Sequence, residues 1–232
     1  MRQNKIALEP FAGGQGYPAQ RVRNRPIFIT GTGTDVGKTL IAAIVTEALE
    51  ADYWKPVQAG YADGTDSLFI QQMVLNNKTV IHPEVYRLKM PASPHLSAPA
   101  EEKEIQIETI MAHLPATNNQ LIIEGAGGLM VPLNKKEFII DLIKELQAKV
   151  IIVSKNELGS INHSLLTAAV LKKEKIQVSG WIFTGEYQNY EKEIGAWSGY
   201  PVITSVKYLP SITKEIIKIE AMKMRPLLKM VL

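Results

Sequence analysis

One stretch constrains this chain more than any other: FITGTGTDVGKTL, from Phe28 to Leu40, where an apolar run closes in a glycine-rich turn and reopens as a helix. Phe28 and Ile29 end a buried strand. Gly31 and Gly33 allow backbone angles closed to other residues, and Gly37, Lys38 and Thr39 begin a helix with Leu40, Ile41, Ile44 and Val45 on its apolar face. The order predicts a phosphate-binding loop. Backbone N–H groups at such a helix start attract phosphate oxygens, Lys38 would neutralise the outer phosphates, and the Thr39 hydroxyl would ligate magnesium. Gly31 and Gly37 enclose one residue more than the pattern G-x-x-x-x-G-K-[ST], so the cradle is expected to be wider than usual.

Beyond this loop, short runs rich in β-branched residues alternate with longer amphipathic stretches. Strands are expected at 26–31, 53–57, 120–126, 149–154, 178–184 and 201–206, with helices near 38–50, 66–75, 104–113, 138–147, 161–173, 189–197 and 213–222. That alternation predicts an α/β fold, a doubly wound and mostly parallel sheet with helices on both faces. Ligands then bind beyond the carboxyl ends of the strands. The proline-rich segment 80–102 is too long for an ordinary connection and reads as a functional or locally disordered loop.

Composition narrows the function classes. With 46% of 232 residues apolar, the chain is expected to form one domain over 26–232, preceded by a disordered leader over 1–25. Five arginines and lysines against Glu9 put +4 in that leader, so the body is near −1 and a nucleic-acid surface is not expected. The absence of cysteine excludes disulfides, thiolate catalysis and cysteine-ligated metals. No apolar run approaches the ~18 residues of a membrane span. A soluble protein without membrane or nucleic-acid partners is the expectation.

Further residues fit the phosphate-binding reading. Lys55, in DYWKPVQAG, closes the second strand, and a lysine there needs an anionic partner. Asp66, in ADGTDSLFIQQ, precedes a helix and reads either as a metal ligand or as an N-cap. Glu124, after Leu121, Ile122 and Ile123 and before Gly125, stands where the acidic metal partner beside a phosphate loop is expected. Thr39, Asp66 and Glu124 together offer hard oxygens for magnesium. Gly159 and Ser160 open a helix whose N-terminus suits a carboxylate, and His163 in its first turn reads as structural or as a base. His82, His95 and His113 show no metal-ligand spacing.

With these residues in view, the chain resembles the dethiobiotin synthetases from about Pro26 to about Pro210. GTGTDVGKT, KPVQAG, GTDS, SPHLSA, EGAGG, LGSINHSLLT and GW follow in that family's order. The resemblance implies a homodimeric P-loop ligase of the cytoplasm that uses ATP, magnesium, carbon dioxide and 7,8-diaminononanoate to make dethiobiotin for biotin synthesis. It implies that Lys38, Lys55 and Thr34 are catalytic, and that Gly33, Thr34, Asp35, Val36, Gly37, Lys38, Thr39, Leu40 and Thr184 bind nucleotide. It implies magnesium on Thr39, Asp66 and Glu124. Substrate would meet Asp35, Lys55 and Ala59, its carboxylate received by Gly159, Ser160, Ile161 and Asn162 across the dimer interface.

Three positions depart from the family pattern: Ala59 replaces a hydroxyl residue, Thr184 an asparagine that reads the purine, and Glu157 a basic residue. A competing expectation is a dimeric switch ATPase of the partitioning type. Those proteins carry an extra lysine early in the loop, and GTGT at 31–34 has none.

Overall fold

In the computed structural model residues 24–232 are described. The expected leader therefore lies, up to residue 23, outside the described residues. Seven parallel strands form the main sheet in the order β4-β2-β6-β1-β7-β8-β9. They are β1 (Ile27–Gly31), β2 (Asp52–Trp54), β4 (Ile81–His82), β6 (Leu121–Gly128), β7 (Lys149–Lys155), β8 (Val178–Thr184) and β9 (Val202–Val206). β3 (Val57–Ala59) and β5 (Tyr86–Leu88) make a separate parallel pair.

Helices cover both faces, as a parallel sheet requires. On one face lie α1 (Lys38–Leu49), α2 (Asp66–Met73) and α8 (Lys214–Val231), which bury Ile41, Ile44, Ile70, Ile217 and Leu228 against Ile27, Ile29, Tyr53 and Ile122. On the other lie α4 (Ile107–Ala112), α5 (Ile139–Glu145), α6 (Ser160–Lys173) and α7 (Glu191–Ser198), packed on Phe28, Trp54, Ile123, Trp181 and Phe183. The face assignments follow the alternation along each strand.

Three sequence expectations are corrected. The strand expected at 53–57 is broken: β2 stops at Trp54 and β3 leaves the main sheet, because Pro56 has no N–H to give a ladder. The Pro56 carbonyl instead receives Val85 N and Tyr86 N, which starts the small sheet. Segment 80–102 is not one loop but holds β4, β5, the short helix α3 (Pro94–Ser97) and a 3-10 turn at Pro99–Glu101. The Ser97 hydroxyl bonds the carbonyls of Met90 and Ala92 at 3.0 Å and closes this segment on itself. The last helix runs past 222 to Val231 despite Pro226, since Ile217, Ala221, Met224 and Leu228 keep one buried stripe through it. Among the described residues no helix is long and apolar enough to cross a membrane.

Candidate active site

β1 lies between β6 and β7 in the sheet, and the chain leaves its carboxyl end into the glycine-rich loop. Gly37 caps α1 at φ 89°, a left-handed angle that glycine tolerates. A Cβ on Gly31 would stand 2.7 Å from Val36 Cγ2 and 2.8 Å from the Gly33 carbonyl, so the loop folds back over that position too tightly for a side chain. Lys38 Nζ donates to the Gly33 carbonyl at 2.8 Å and spans the loop from inside. Thr34 and Asp35 are exposed on the rim, and Val36 is buried beneath it.

The expected metal-side residues come from three elements and meet. Thr39 Oγ1, in the first turn of α1, is 3.0 Å from Asp66 Oδ1 and 2.9 Å from Glu124 Oε1. Lys55 Nζ pairs with Asp66 and lies 3.1 Å from Glu124 Oε1. Asp66 is not an N-cap: Thr65 caps α2, its hydroxyl accepting from Leu68 N at 3.2 Å, which leaves the Asp66 carboxylate free for this cluster. Lys55 is 5% exposed and Glu124 1%, so the pair is almost dry.

Charge sorts the two lysines. Burial opposes the Lys55 ammonium, but Glu124 and Asp66 outweigh it and raise its pKa. Burial lowers that of Lys38, and the like charge of Lys55 adds to this against the pull of Glu124 and Asp66. Lys55 is thus a fixed cation, while Lys38 has no acidic hydrogen-bond partner among the described residues and faces the loop interior, where an arriving phosphate would supply one.

Among the described residues no three His, Cys, Asp or Glu side chains are grouped to hold a metal by themselves. Two carboxylates and a hydroxyl fit magnesium in a different way, since that ion keeps waters and substrate phosphates in its octahedron and needs only one or two carboxylates. The donor set fits the ion.

Sequence reasoning missed three residues. Tyr53, fully buried in β2, donates its hydroxyl to Glu124 Oε2 at 2.7 Å; burial and then the Glu124 charge push its pKa well up, so it remains a donor. Gln58 Oε1 accepts from Asp66 N at 3.2 Å and braces the start of α2. Asn156, just beyond β7, is 4% exposed and lines a cavity of about 370 Å³ with Gly185, Tyr187, Asn189, Ser205 and Lys207. Its Nδ2 donates to Glu191 at 2.7 Å and its buried Oδ1 has no partner among the described residues. In the sequence Tyr53 reads as an ordinary core aromatic, and nothing in the spacing marks the other two.

The remaining expected residues sit nearby or apart. Thr184 ends β8 under the loop, and its hydroxyl donates to the Val36 carbonyl at 2.8 Å. Leu40 is half-buried on α1, and Ala59 is half-buried in β3. Gly159, Ser160, Ile161 and Asn162 open α6 at the end of β7, the strand beside β1; Ser160 bonds the Tyr190 hydroxyl at 2.7 Å. His163 is exposed, and Glu157 pairs with Lys155 at 3.0 Å.

Comparison with known proteins gives the loop and cluster a family. A family model described as an AAA domain matches residues 25–216. The ATP-dependent dethiobiotin synthetase BioD of Cytophaga hutchinsonii is 49% identical over 199 residues, 85% of this chain and 95% of that one. The chain belongs to the dethiobiotin synthetase family. Family members from Christiangramia forsetii (44% identical, 85% and 95% covered) and Paramagnetospirillum magneticum (35%, 82% and 91%) agree. Among solved structures, a putative plasmid partition protein from Borrelia burgdorferi bound to AMPPNP superposes with TM-score 0.58 at 13% identity, covering 90% of this chain and all of that one. The septum site-determining protein MinD of Pyrococcus horikoshii, complexed with Mg-ADP, gives 0.55 at 15%, covering 87% and 89%. These two likenesses show that the chain has the fold of P-loop nucleotide-binding proteins.

Proposed function

We propose that this protein carboxylates 7,8-diaminononanoate with carbon dioxide and closes the ureido ring of dethiobiotin, using ATP and magnesium, in the cytoplasm. The observation that carries the reading is the meeting of Thr39, Asp66, Glu124 and Lys55 at the foot of the glycine-rich loop, in a chain of this family. Residues 26–232 work as one P-loop domain.

The triphosphate lies in the loop formed by Gly33, Thr34, Asp35, Val36 and Gly37, its oxygens facing the N-terminus of α1 and Lys38. Leu40 and Thr184 support the loop from the helix and from β8. Its base occupies the cavity at the ends of β7, β8 and β9, which Asn156 helps to line. Thr39, Asp66 and Glu124 would hold magnesium, which when bound neutralises charge developing on the transferring phosphoryl group.

One amine of the substrate, held near Asp35, gives up a proton and bonds carbon dioxide as a carbamate. A carbamate oxygen attacks the γ-phosphorus and ADP leaves. The second amine attacks the carbonyl carbon, loses a proton and expels phosphate, closing the ring. No step needs a covalent bond to the protein, so Lys38, Lys55 and Thr34 act by holding negative charge in place. Ala59 gives this wall of the site no side-chain hydrogen bond.

The substrate carboxylate is received at the N-terminus of α6, by Gly159, Ser160, Ile161 and Asn162 of a second copy, so the working form is a homodimer. Two exposed apolar side chains, Leu158 at 86% just before that helix and Leu166 at 59% midway along it, support a covering partner.

The test is ADP release with ATP, magnesium, bicarbonate and diaminononanoate, each omitted in turn, with the product weighed by mass spectrometry. ADP formed only when diamine and bicarbonate are both present, one for each dethiobiotin, is the expected result. Slow ATP turnover indifferent to diamine would instead favour a nucleotide switch.

A further inference from the structure

Glu124 has two oxygens and the structure uses them differently. Oε1 faces the loop, 2.9 Å from Thr39 Oγ1 and 3.1 Å from Lys55 Nζ. Oε2 points back into the protein and accepts from the Tyr53 hydroxyl at 2.7 Å, its one hydrogen-bond partner among the described residues. Tyr53 pairs in register with Ile122, so its ring lies on the same face of the sheet as Glu124, two residues further along β6. That ring is fully buried among Ile29, Ile41, Ile70 and Ile122, and the packing fixes where the hydroxyl stands.

We propose that Tyr53 is a positioning residue that keeps Glu124 a one-oxygen ligand and so sets the site for magnesium against larger divalent cations. The inference rests on the reading that Thr39, Asp66 and Glu124 hold the metal. Magnesium takes single oxygens at ~2.0–2.1 Å in a near-ideal octahedron, whereas calcium accepts both oxygens of a carboxylate at ~2.3–2.6 Å and a looser shell. A carboxylate whose second oxygen is tied to a buried phenol cannot turn to offer both. Removing the phenol hydroxyl leaves Oε2 buried without a donor, and rotation of the carboxylate toward the cation becomes its way to be satisfied. Magnesium then loses an oriented ligand, and calcium gains an oxygen.

The test uses Tyr53→Phe, which keeps the ring. Manganese bound to the protein and ADP complex is followed by electron paramagnetic resonance and displaced by magnesium or by calcium. In the variant, magnesium should compete about tenfold less well, the usual scale for loss of an outer-shell partner, while calcium holds or improves. ADP binding in EDTA should not change, and Tyr53→Phe added to Glu124→Gln should produce no further effect. Equal weakening of both metals, or no change in either, overturns the inference while leaving the metal site intact. A wild-type protein that retains no manganese with ADP removes the metal site and the inference together. A second measurement needs no folded Tyr53 variant. In the magnesium-minus-EDTA infrared difference spectrum of the wild-type ADP complex, the Glu124 bands, identified by their loss in Glu124→Gln, should show the wide splitting of one-oxygen ligation. The narrow splitting of two-oxygen ligation overturns the proposal.

Discussion

Lys55 Nζ lies 3.1 Å from Glu124 Oε1 and pairs at the same time with Asp66, so one buried ammonium bridges the two carboxylates proposed to meet magnesium. The protein supplies its own cation to that position. A dry Glu124 carboxylate and a part-exposed Asp66 side by side would otherwise repel.

Lys55→Met therefore leaves the buried Glu124 carboxylate without its cation. Stability should fall by about 3 kcal/mol, the scale for breaking one partner out of a buried ion pair. Magnesium without nucleotide should restore much of this in the variant and little in the wild-type protein. Thermal melts with and without magnesium check it, and equal shifts in both proteins would show that Lys55 does not stand in for the metal.

Lys38 has a different task. Among the described residues its ammonium is bonded only to the Gly33 carbonyl, and burial holds its pKa below the ordinary lysine range. Lys38→Ala should reduce ADP release by about a hundredfold or more, the scale for removing a charge-stabilising donor. A lowered pKa means the proton is lost at lower pH than in a free lysine, so ADP affinity of the wild-type protein should start to weaken before that range is reached. Titrations from neutral to alkaline pH should show this slope in the wild-type protein and not in Lys38→Ala.

Thr184 stands where the family pattern has a purine-reading asparagine; its hydroxyl donates to the Val36 carbonyl at 2.8 Å and its methyl lies under Gly37. Thr184→Val keeps the shape and removes that bond, so the loop loses about 1 kcal/mol of support. Affinity for ADP, GDP and CDP should fall by similar factors of about five. A loss confined to one base would show that Thr184 reads the nucleotide.

The fold was legible because each buried strand of the main sheet is a run such as Leu121-Ile122-Ile123, and because the loop from Gly31 to Thr39 names its own neighbours. Thr39, Lys55, Asp66 and Glu124 could be named from their positions at strand ends and helix starts. What could not be read depends on register. Pro56 was visible, yet that it diverts β3 into a second sheet is decided by Val85 and Tyr86 far along the chain. Tyr53 looked like an ordinary core aromatic, since its partner Glu124 is 71 residues away and only the pairing of β2 with β6 brings them together. The extension of α8 through Pro226 follows from its packing on α1, which no local preference announces.

Asp52 offers a last prediction, about stability rather than catalysis. It begins β2, at the end of the strand opposite Lys55, and is 3% exposed. Thr117 Oγ1 donates to it at 2.7 Å, Val80 N at 3.1 Å and Asn119 Nδ2 at 3.2 Å, while His82 Nε2 lies at 3.2 Å. Burial opposes its ionisation, but these donors outweigh burial and hold the carboxyl below its ordinary range. A carboxyl with a lowered folded pKa contributes stability that is complete above the unfolded value and is lost as pH falls through the folded one. Asp52→Asn should thus cost about 2 kcal/mol at neutral pH, where a charged acceptor is replaced by an amide that cannot serve every donor. The gap between variant and wild-type protein should narrow steadily as pH drops below the ordinary aspartate range, measured by urea unfolding at each pH. ADP release at neutral pH should stay unchanged, because the tie closes the amino end of the sheet and the chemistry lies at the carboxyl end.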